Sequence, residues 1–379
     1  MSQMWGTLTF YDKLGFVFTM NYLVPTIIGT TLALVVNPRS WCNFCPMGTI
    51  EQLFYKLGKA TGLNKKTDEK VTTAAPELCH KCGKCARVCP MQLKPYLEFS
   101  PAKQLDNENC IRCTTCIANC PAGILSLANA DKARKLKQRV NKLGYENRRK
   151  MVGVVEAIKP LTSDVNEFTF KLLQPEKTDY QAGQFILVKV LDAPQMYRAY
   201  SISSSHKDRT RISVTIKKIQ AGFGTGLIFG SLKVGDKVEL EGPMGRDLIV
   251  DKSAAKVLLV AGGIGITPFV PIVRDLIETG NSVEQIALIY GVNKEEEFIY
   301  DDYFKTLAAS QPKFTYLPVV AFPGESWKKH RGFVTDVMKN MDLKGYKVYM
   351  CGPKPMIKAT LEVLKTKGLD EKDIFAESA

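Results

Sequence analysis

The sequence predicts a multidomain chain of the α/β plus β-barrel class, led by an apolar helix and a cysteine-rich module. Three observations predict it. A cysteine run occurs twice, as CHKCGKCARVCP at Cys79–Pro90 and CIRCTTCIANCP at Cys110–Pro121. Beyond Met151, apolar and polar residues alternate in short runs broken by Pro, Gly and Asp, the pattern of half-buried strands. From Lys256 the apolar run KVLLVA, suited to a strand covered on both faces, enters GGIGITP and then a helical pattern. The 379 residues are enough for two to four domains.

The first element, residues 1–40, is apolar. Leu14–Val36 reads LGFVFTMNYLVPTIIGTTLALVV, 23 residues without a formal charge. At about 1.5 Å per helical residue it is long enough to cross a hydrocarbon core of about 30 Å. Asn21, Pro25 and four threonines make the span less greasy than most. The start is not basic, which argues against a secretory signal. Arg39 and a basic remainder follow, so the positive-inside rule puts residues 37–379 in the cytoplasm. The expected place is the cell membrane at its cytoplasmic face, with membrane contact through residues 14–36. The competing readings are a buried hairpin and a helix docked on a cytoplasmic partner subunit. In residues 41–69, Ile50, Leu53, Phe54, Leu57 and Ala60 mark an amphipathic helix.

Each cysteine run is C-x2-C-x2-C-x3-C-P. Two-residue gaps let three thiolates of one tight loop reach three corners of a 4Fe–4S cubane, while the cysteine before proline serves the other cluster. Cys79, Cys82, Cys85 and Cys120 are thus assigned to one cluster, and Cys110, Cys113, Cys116 and Cys89 to the second. Disulfides would need an oxidising compartment, and zinc sites use cysteine pairs with a longer gap. Gly83 allows close backbone approach to sulfide. Met91 to Asn109 is expected to form a loop or short helix over one cluster. The layout resembles the bacterial two-cluster ferredoxin module over residues 70–128. Upstream, Cys42, Cys45 and Pro46 resemble the C-P motif that follows the membrane helices of polyferredoxins. Two cysteines cannot complete a cubane. They share a site with a second subunit, contact a partner cluster, are vestigial, or are two buried thiols.

The net charge is +14 with three histidines, and much of the excess lies in the basic linker 129–150. A solvated helix and a surface for lipid head groups or an acidic redox partner are both open there. No zinc-finger, helix-turn-helix or aromatic RNA-binding signature accompanies it, so no nucleic-acid partner is expected.

Residues 151–250 carry three signals in order: Arg198, Tyr200 and Ser201 as R-x-Y-S, then GFGTG with Gly222, Gly224 and Thr225, then Gly242-Pro243-Met244-Gly245. With the downstream strings they resemble the ferredoxin–NADP reductase superfamily, continuously over residues 151–379. The resemblance implies six antiparallel strands closing into a Greek-key FAD barrel. It implies that Arg198 pairs with the pyrophosphate, as a guanidinium can bidentately. Tyr200 would stack on the flavin and Ser201 would hydrogen-bond near its N5. Gly222, Gly224 and Thr225 would approach the pyrophosphate through backbone N–H groups, and Val214, Thr215 and Ile216 would line the ring edge.

Residues 251–379 read as the NAD(P)-binding domain. Gly262, Gly263 and Gly265 allow a tight turn close to phosphate, with Thr267 as helix N-cap and Pro268 as first helical residue. In Cys351-Gly352-Pro353, with Met356, the resemblance puts the cysteine by the nicotinamide, positioning it for hydride transfer. Ser201 and Cys351 are thereby the expected catalytic residues. Where NADP enzymes usually hold the 2′-phosphate with arginine, this chain has Glu295, Glu296 and Glu297, which favours NADH. The alternative is that the glutamates only start a helix. Two features depart from the superfamily: Ala379 stands where many relatives have an aromatic, and no plant-type 2Fe–2S motif is present. Phe375 is not expected to reach the flavin.

The order of parts implies electron transfer between NAD(P)H and a redox partner protein or membrane subunit, through FAD and two 4Fe–4S clusters. Ferredoxin-driven NAD(P) reduction uses the same parts, and a non-catalytic electron-wiring subunit is the reading from another class. The sequence leaves the direction of flow, the terminal acceptor and the oligomeric state open.

Overall fold

A computed structural model describes residues 9–35, 46–65, 67–129, 131, 132, 135, 143–279 and 282–378. Cys42, Cys45, ten of the 22 residues of the basic linker and Ala379 lie outside them. The chain separates into two compact units, Met1–Cys79 with Gly83–Val140, and His80–Cys82 with Asn141–Ala379.

The first unit opens with helix α1, Phe10–Val35. Thr9 and Asp12 cap it reciprocally: the Thr9 amide donates to the Asp12 carboxylate at 3.1 Å, and the Asp12 amide to Thr9 Oγ1 at 3.3 Å. The threonines that dilute its apolarity are matched internally. Thr19, Thr26 and Thr31 donate their hydroxyls to the carbonyls of Gly15, Tyr22 and Ile27. Phe10–Leu32 is long and apolar enough to cross a membrane, and none of that window is buried by protein. Helix α2, Pro46–Thr61, follows.

The cysteine runs sit between strands β1, Lys70–Thr73, and β2, Leu125–Ala128, which pair antiparallel. Each run makes a loop and then a single helical turn, α3 (Lys84–Arg87) in the first and α5 (Thr115–Ala118) in the second. The sequence repeat is also a backbone repeat. Lys81 and Arg112, Gly83 and Thr114, and Gln92 and Gly123 occupy matching places, and all six have left-handed φ between 47° and 65°. The intervening segment carries a one-turn helix, α4 (Pro95–Glu98), as expected. Buried Gln104 fastens the segment to both strands by donating to Thr72 Oγ1 and the Ala128 carbonyl.

In the second unit, six antiparallel strands run from β3 (Arg149–Pro160) to β8 (Lys237–Met244), in the spatial order β6-β5-β8-β3-β4-β7. The flanking members are β4 (Val165–Gln174), β5 (Phe185–Leu191), β6 (Met196–Ser201) and β7 (Arg211–Lys217). Period-two alternation delivers Phe168, Phe170, Ile186, Val188, Ile212 and Val214 to one core. The expected barrel is corrected in one respect. Among the described residues the two edge strands are joined only by an isolated bridge, Ile202 to Val214, so the sheet is a half-barrel. Helix α6, Phe223–Ser231, follows β7.

A second, parallel sheet of order β12-β11-β10-β9-β13-β14 completes the unit, with β10 at Gln285–Val292, β11 at Phe314–Val320 and β12 at His330–Arg331. Its central strand β9, Lys256–Gly262, is buried from Val257 onward because helices cover both faces. Helix α7, Phe269–Glu278, buries Phe269, Ile272, Val273 and Leu276 in the core that also holds Leu259, Leu288 and Tyr349. The last strands are β13, Tyr346–Gly352, and β14, Ile374–Ser378, with helix α10, Lys354–Thr366, between them.

Candidate flavin, nicotinamide and cluster sites

None of the nine described cysteines is in a disulfide. Cys89, Cys110, Cys113 and Cys116 line one small apolar cavity, so Cys89 lies with the three leading cysteines of the second run. Burial, and then the neighbouring thiols, push Cys116 up to about 11. Burial likewise raises Cys110. Four sulfurs converging on one apolar cavity fit a metal cluster, whose irons would take thiolates and supply positive charge there. Among the described residues no group of three or more His, Cys, Asp or Glu is spaced to hold a metal ion. Of the first set, Cys79, Cys85 and Cys120 fall in the first unit and Cys82 in the second.

His80–Cys82 is built into the second unit. His80 is buried, bonds Tyr145 Oη through Nε2 at 2.8 Å and meets the edge of Phe185. Burial and the nearby Arg148 hold it neutral, down to about 4. Arg198 Nη1 donates to the Cys82 and Tyr197 carbonyls, each at 2.9 Å. This aims Nε at Gly224, where an added Cβ would lie 2.8 Å away. A side chain there would push Arg198 aside, and with glycine the two lie side by side, as a pyrophosphate cradle would need.

The Thr225 hydroxyl has another task. It accepts from the Ile219 amide at 3.1 Å and donates to the Gly222 carbonyl at 3.3 Å, closing the turn before α6. Any role of Thr225 toward a phosphate falls to its backbone amide, in the first helical turn. Burial pushes the Tyr200 phenol up to about 12. Ser201 ends β6, paired with Phe185. Val214, Thr215 and Ile216 are buried on β7. The Thr215 hydroxyl meets Tyr300 Oη at 2.6 Å, and Tyr300 Oη donates to Glu167 Oε2 at 2.6 Å. No local pattern in the sequence signals this bridge from the parallel domain to the half-barrel.

The glycine turn and the Cys351 segment touch. A Cβ at Gly265 would overlap the Cys351 carbonyl, and one at Gly262 would overlap Met356 Sδ. Gly263 has φ 54°, a conformation natural to glycine. One expectation needs correcting. Helix α7 starts at Phe269 with Pro268 as N-cap, because Gly263–Ile266 first forms a 3-10 turn. Thr267 therefore bonds back to the Ile264 carbonyl at 2.8 Å and does not cap the helix. Pro353 is the N-cap of α10, and a Cβ on Gly352 would lie 2.7 Å from Met356 Cε.

Cys351 is 3% exposed, and burial followed by the charge of Glu377 raises its thiol far above the usual range. Such a thiol positions and does not attack. Glu377 is the residue that sequence reasoning passed over. The register of β13 and β14 sets it opposite Cys351. Burial, with Asp247 nearby, pushes its carboxyl up to about 7. Phe375 stacks on Tyr349, centroids 4.7 Å apart, so its ring is taken within the core.

Residues 71–121 match the 4Fe-4S dicluster domain, 153–247 the oxidoreductase FAD-binding domain and 259–362 the oxidoreductase NAD-binding domain. Over residues 153–362 the chain carries oxidoreductase FAD-binding and NAD-binding domains like those of the ferredoxin–NADP reductase family, with a dicluster domain in front. It is 34% identical over 59% of its length to the reductase component of phenol 2-monooxygenase from a Pseudomonas strain, spanning 64% of that protein. It is 29% identical over 59% of its length to the electron transfer component of toluate 1,2-dioxygenase from Pseudomonas putida, spanning 66%. The chain thus spans just under two thirds of these curated relatives. Among solved structures, the ferredoxin reductase in carbazole 1,9a-dioxygenase aligns with a TM-score of 0.55 at 25% identity, over 67% of this chain and 74% of the other.

Proposed function

We propose that the chain is an NAD(P)H-dependent electron-transfer reductase, with NADH favoured, that delivers electrons through two 4Fe–4S clusters to a partner protein or a membrane acceptor. One observation carries the reading. A single unit holds both the Arg198–Gly224 cradle and the interlocked Gly262–Gly265 turn and Cys351–Met356 segment, and the Cys82 carbonyl accepts from that same Arg198. A bound FAD would take two electrons with a hydride and release them singly, which suits one-electron clusters. The residues have separable tasks. Arg198 and the first-turn amides of α6 hold the pyrophosphate. Tyr200 and Ser201 face the ring. Gly262, Gly263 and Gly265 let the dinucleotide approach, and Cys351 shapes the nicotinamide seat beside Glu377.

The glutamates partly support each sequence reading. Glu295 accepts from the Gly324 amide at 3.1 Å and Glu297 from the Asn293 amide at 3.3 Å, so both organise the turn. Glu296 stays solvent-facing beside Lys294, and the cluster of negative charge disfavours a 2′-phosphate. The named relatives serve oxygenases. For this chain the apolar helix α1 favours attachment to the cell membrane, with the redox domains on the cytoplasmic side.

The test is an anaerobic NADH titration of the loaded, detergent-purified protein, followed by visible and EPR spectra. Flavin and cluster signals changing together at sub-stoichiometric NADH is the expected result. Bleaching of flavin alone would shift the reading to ferredoxin-driven NAD reduction. No change with NADH but a response to NADPH would overturn the nucleotide preference, and no response to either would leave an electron-wiring subunit.

A further inference from the structure

Helix α2 is amphipathic the wrong way round for a helix in a globular core. Its polar side is fastened to the dicluster module. Gln52 Nε2 donates to Asn109 Oδ1 at 3.3 Å, Lys56 pairs with Glu108 at 3.1 Å and Lys59 with Asp106 at 3.3 Å. Tyr55 Oη donates to Asp68 Oδ2 at 2.8 Å. The opposite stripe, Ile50, Leu53, Phe54 and Leu57, is 48–68% exposed. These positions recur at three- and four-residue spacing, so they form one ridge two turns long.

We propose that α2 is an interfacial helix: it lies in the lipid–water boundary of a bilayer and holds the Cys110 loop against the membrane surface. The proposal rests on the reading of the chain as membrane-attached, and the test below separates the two. Lipid is favoured as the occupant by continuity. Ten residues, 36–45, separate the end of α1 from the start of α2. At 3.3–3.6 Å each they reach at most about 36 Å, so α2 cannot stray far from the bilayer that α1 would enter. The sequence also flanks α2 with Arg39, Lys65 and Lys66, cations suited to anionic head groups. A convex ridge of large side chains with a polar reverse is the form a head-group layer accepts.

The consequence concerns electron exit. Three of the four acceptors of the α2 contacts, Asp106, Glu108 and Asn109, lie within the four residues before Cys110. The Cys89, Cys110, Cys113 and Cys116 set is then the one kept at the membrane, and electrons leave from it to an acceptor reached at the bilayer surface.

The test uses the full-length loaded protein reconstituted into phosphatidylcholine–phosphatidylglycerol vesicles. A bilayer-confined diazirine is photolysed, and the labelled residues are mapped by mass spectrometry. Labelling of α1 and of Ile50, Leu53, Phe54 and Leu57 is expected, without labelling of Val234 or Phe322, which are exposed apolar residues of the second unit. The double variant Leu53→Glu, Phe54→Glu should cut labelling of α2 about tenfold and leave α1 unchanged. Label on α1 alone overturns the proposal and keeps the span, because a protein then covers the ridge. Label on α2 alone keeps the proposal and removes the span. Label on neither overturns both.

Discussion

Helices α2 and α7 have the same kind of sequence and opposite fates. Both repeat large apolar residues at three- and four-residue spacing. In α7 the stripe Phe269, Ile272, Val273 and Leu276 is at most 1% exposed, packed on a parallel sheet. In α2 the stripe faces out, and ion pairs on the other side do the fastening. Surface pairs of that sort contribute about 0–1 kcal/mol each, whereas each buried apolar side chain contributes about 1.5–3 kcal/mol. Periodicity announces that a face will be covered. It does not say by what.

The comparison breaks most severely at the turn that places α7. Gly265→Ala puts a methyl into the Cys351 carbonyl, which is backbone and cannot step aside. A destabilisation of at least about 4 kcal/mol is expected, with loss of nicotinamide binding. Denaturant melts and NADH titration check it. Gly230→Ala is the control. Nothing lies within 4 Å of the added carbon, in the last turn of α6. It should be neutral or stabilise by up to about 1 kcal/mol. Equal losses in the two variants would mean that the turn is not a packing constraint.

The next comparison is direct. Ile272→Ala in α7 should cost about 2–5 kcal/mol, from lost transfer energy plus a cavity. Leu53→Ala in α2 should change the stability of the detergent-solubilised protein by no more than about 0.5 kcal/mol. If Leu53→Ala costs as much as Ile272→Ala, the ridge is already packed against protein in solution.

How much of this was legible in the sequence follows from how local each signal is. The cysteine runs encode their loops within twelve residues, so spacing alone suggests the two sets, and Cys89 lines the same cavity as Cys110, Cys113 and Cys116. The strands were readable because alternation is local, as was Gly265 because its turn is. The α7 cap was misplaced by one residue because the 3-10 turn before it depends on packing against Cys351. The half-barrel's open edge, the Thr225 hydroxyl's use inside its own turn and the Tyr300–Glu167 bridge, 133 residues apart, are pairings that no local pattern carries. Glu377 was missed for the same reason. A carboxylate in a terminal strand looks like any solvated residue until register sets it beside Cys351.

Glu377 sharpens the comparison from surface to interior through pH. On the module that holds α2, Asp106 is held below its usual range by its hydrogen bond to Lys70. Glu377, under the parallel domain, is raised to about 7 from 4.5. The native state keeps this proton where the unfolded chain has released it. Stability therefore falls as pH rises from 4.5 to 7, by about 3 kcal/mol in total. Glu377→Gln should flatten that fall, the difference between the two proteins growing through the window and levelling above it. Parallel denaturation curves from pH 4.5 to 8 check this, and an unchanged slope in the variant would place the proton elsewhere.

A last substitution tests what covers the other side of the nicotinamide domain. Tyr300 begins helix α8, Asp301–Ser310, in the left-handed conformation, φ 58°. Its hydroxyl ties that helix to Thr215 on β7 and Glu167 on β4. The phenol is raised strongly, first by burial and then by the Glu167 charge, so it stays a donor throughout the working range. Tyr300→Phe keeps the ring and removes only the donor, leaving the Glu167 carboxylate one partner short in a partly buried place. Loss of a hydrogen bond to a charged group predicts about 1.5–3 kcal/mol. The bridge joins the half-barrel to the nicotinamide domain, so a second readout is expected to move with it. Flavin reduction by NADH in stopped flow should slow while NADH binding, seated on the Gly262–Gly265 turn, stays within about twofold. Slower reduction at unchanged stability would assign the bridge to alignment of the two domains. Loss of stability with unchanged reduction would assign it to packing alone, and α8 would then resemble α7, a helix held by its covered face.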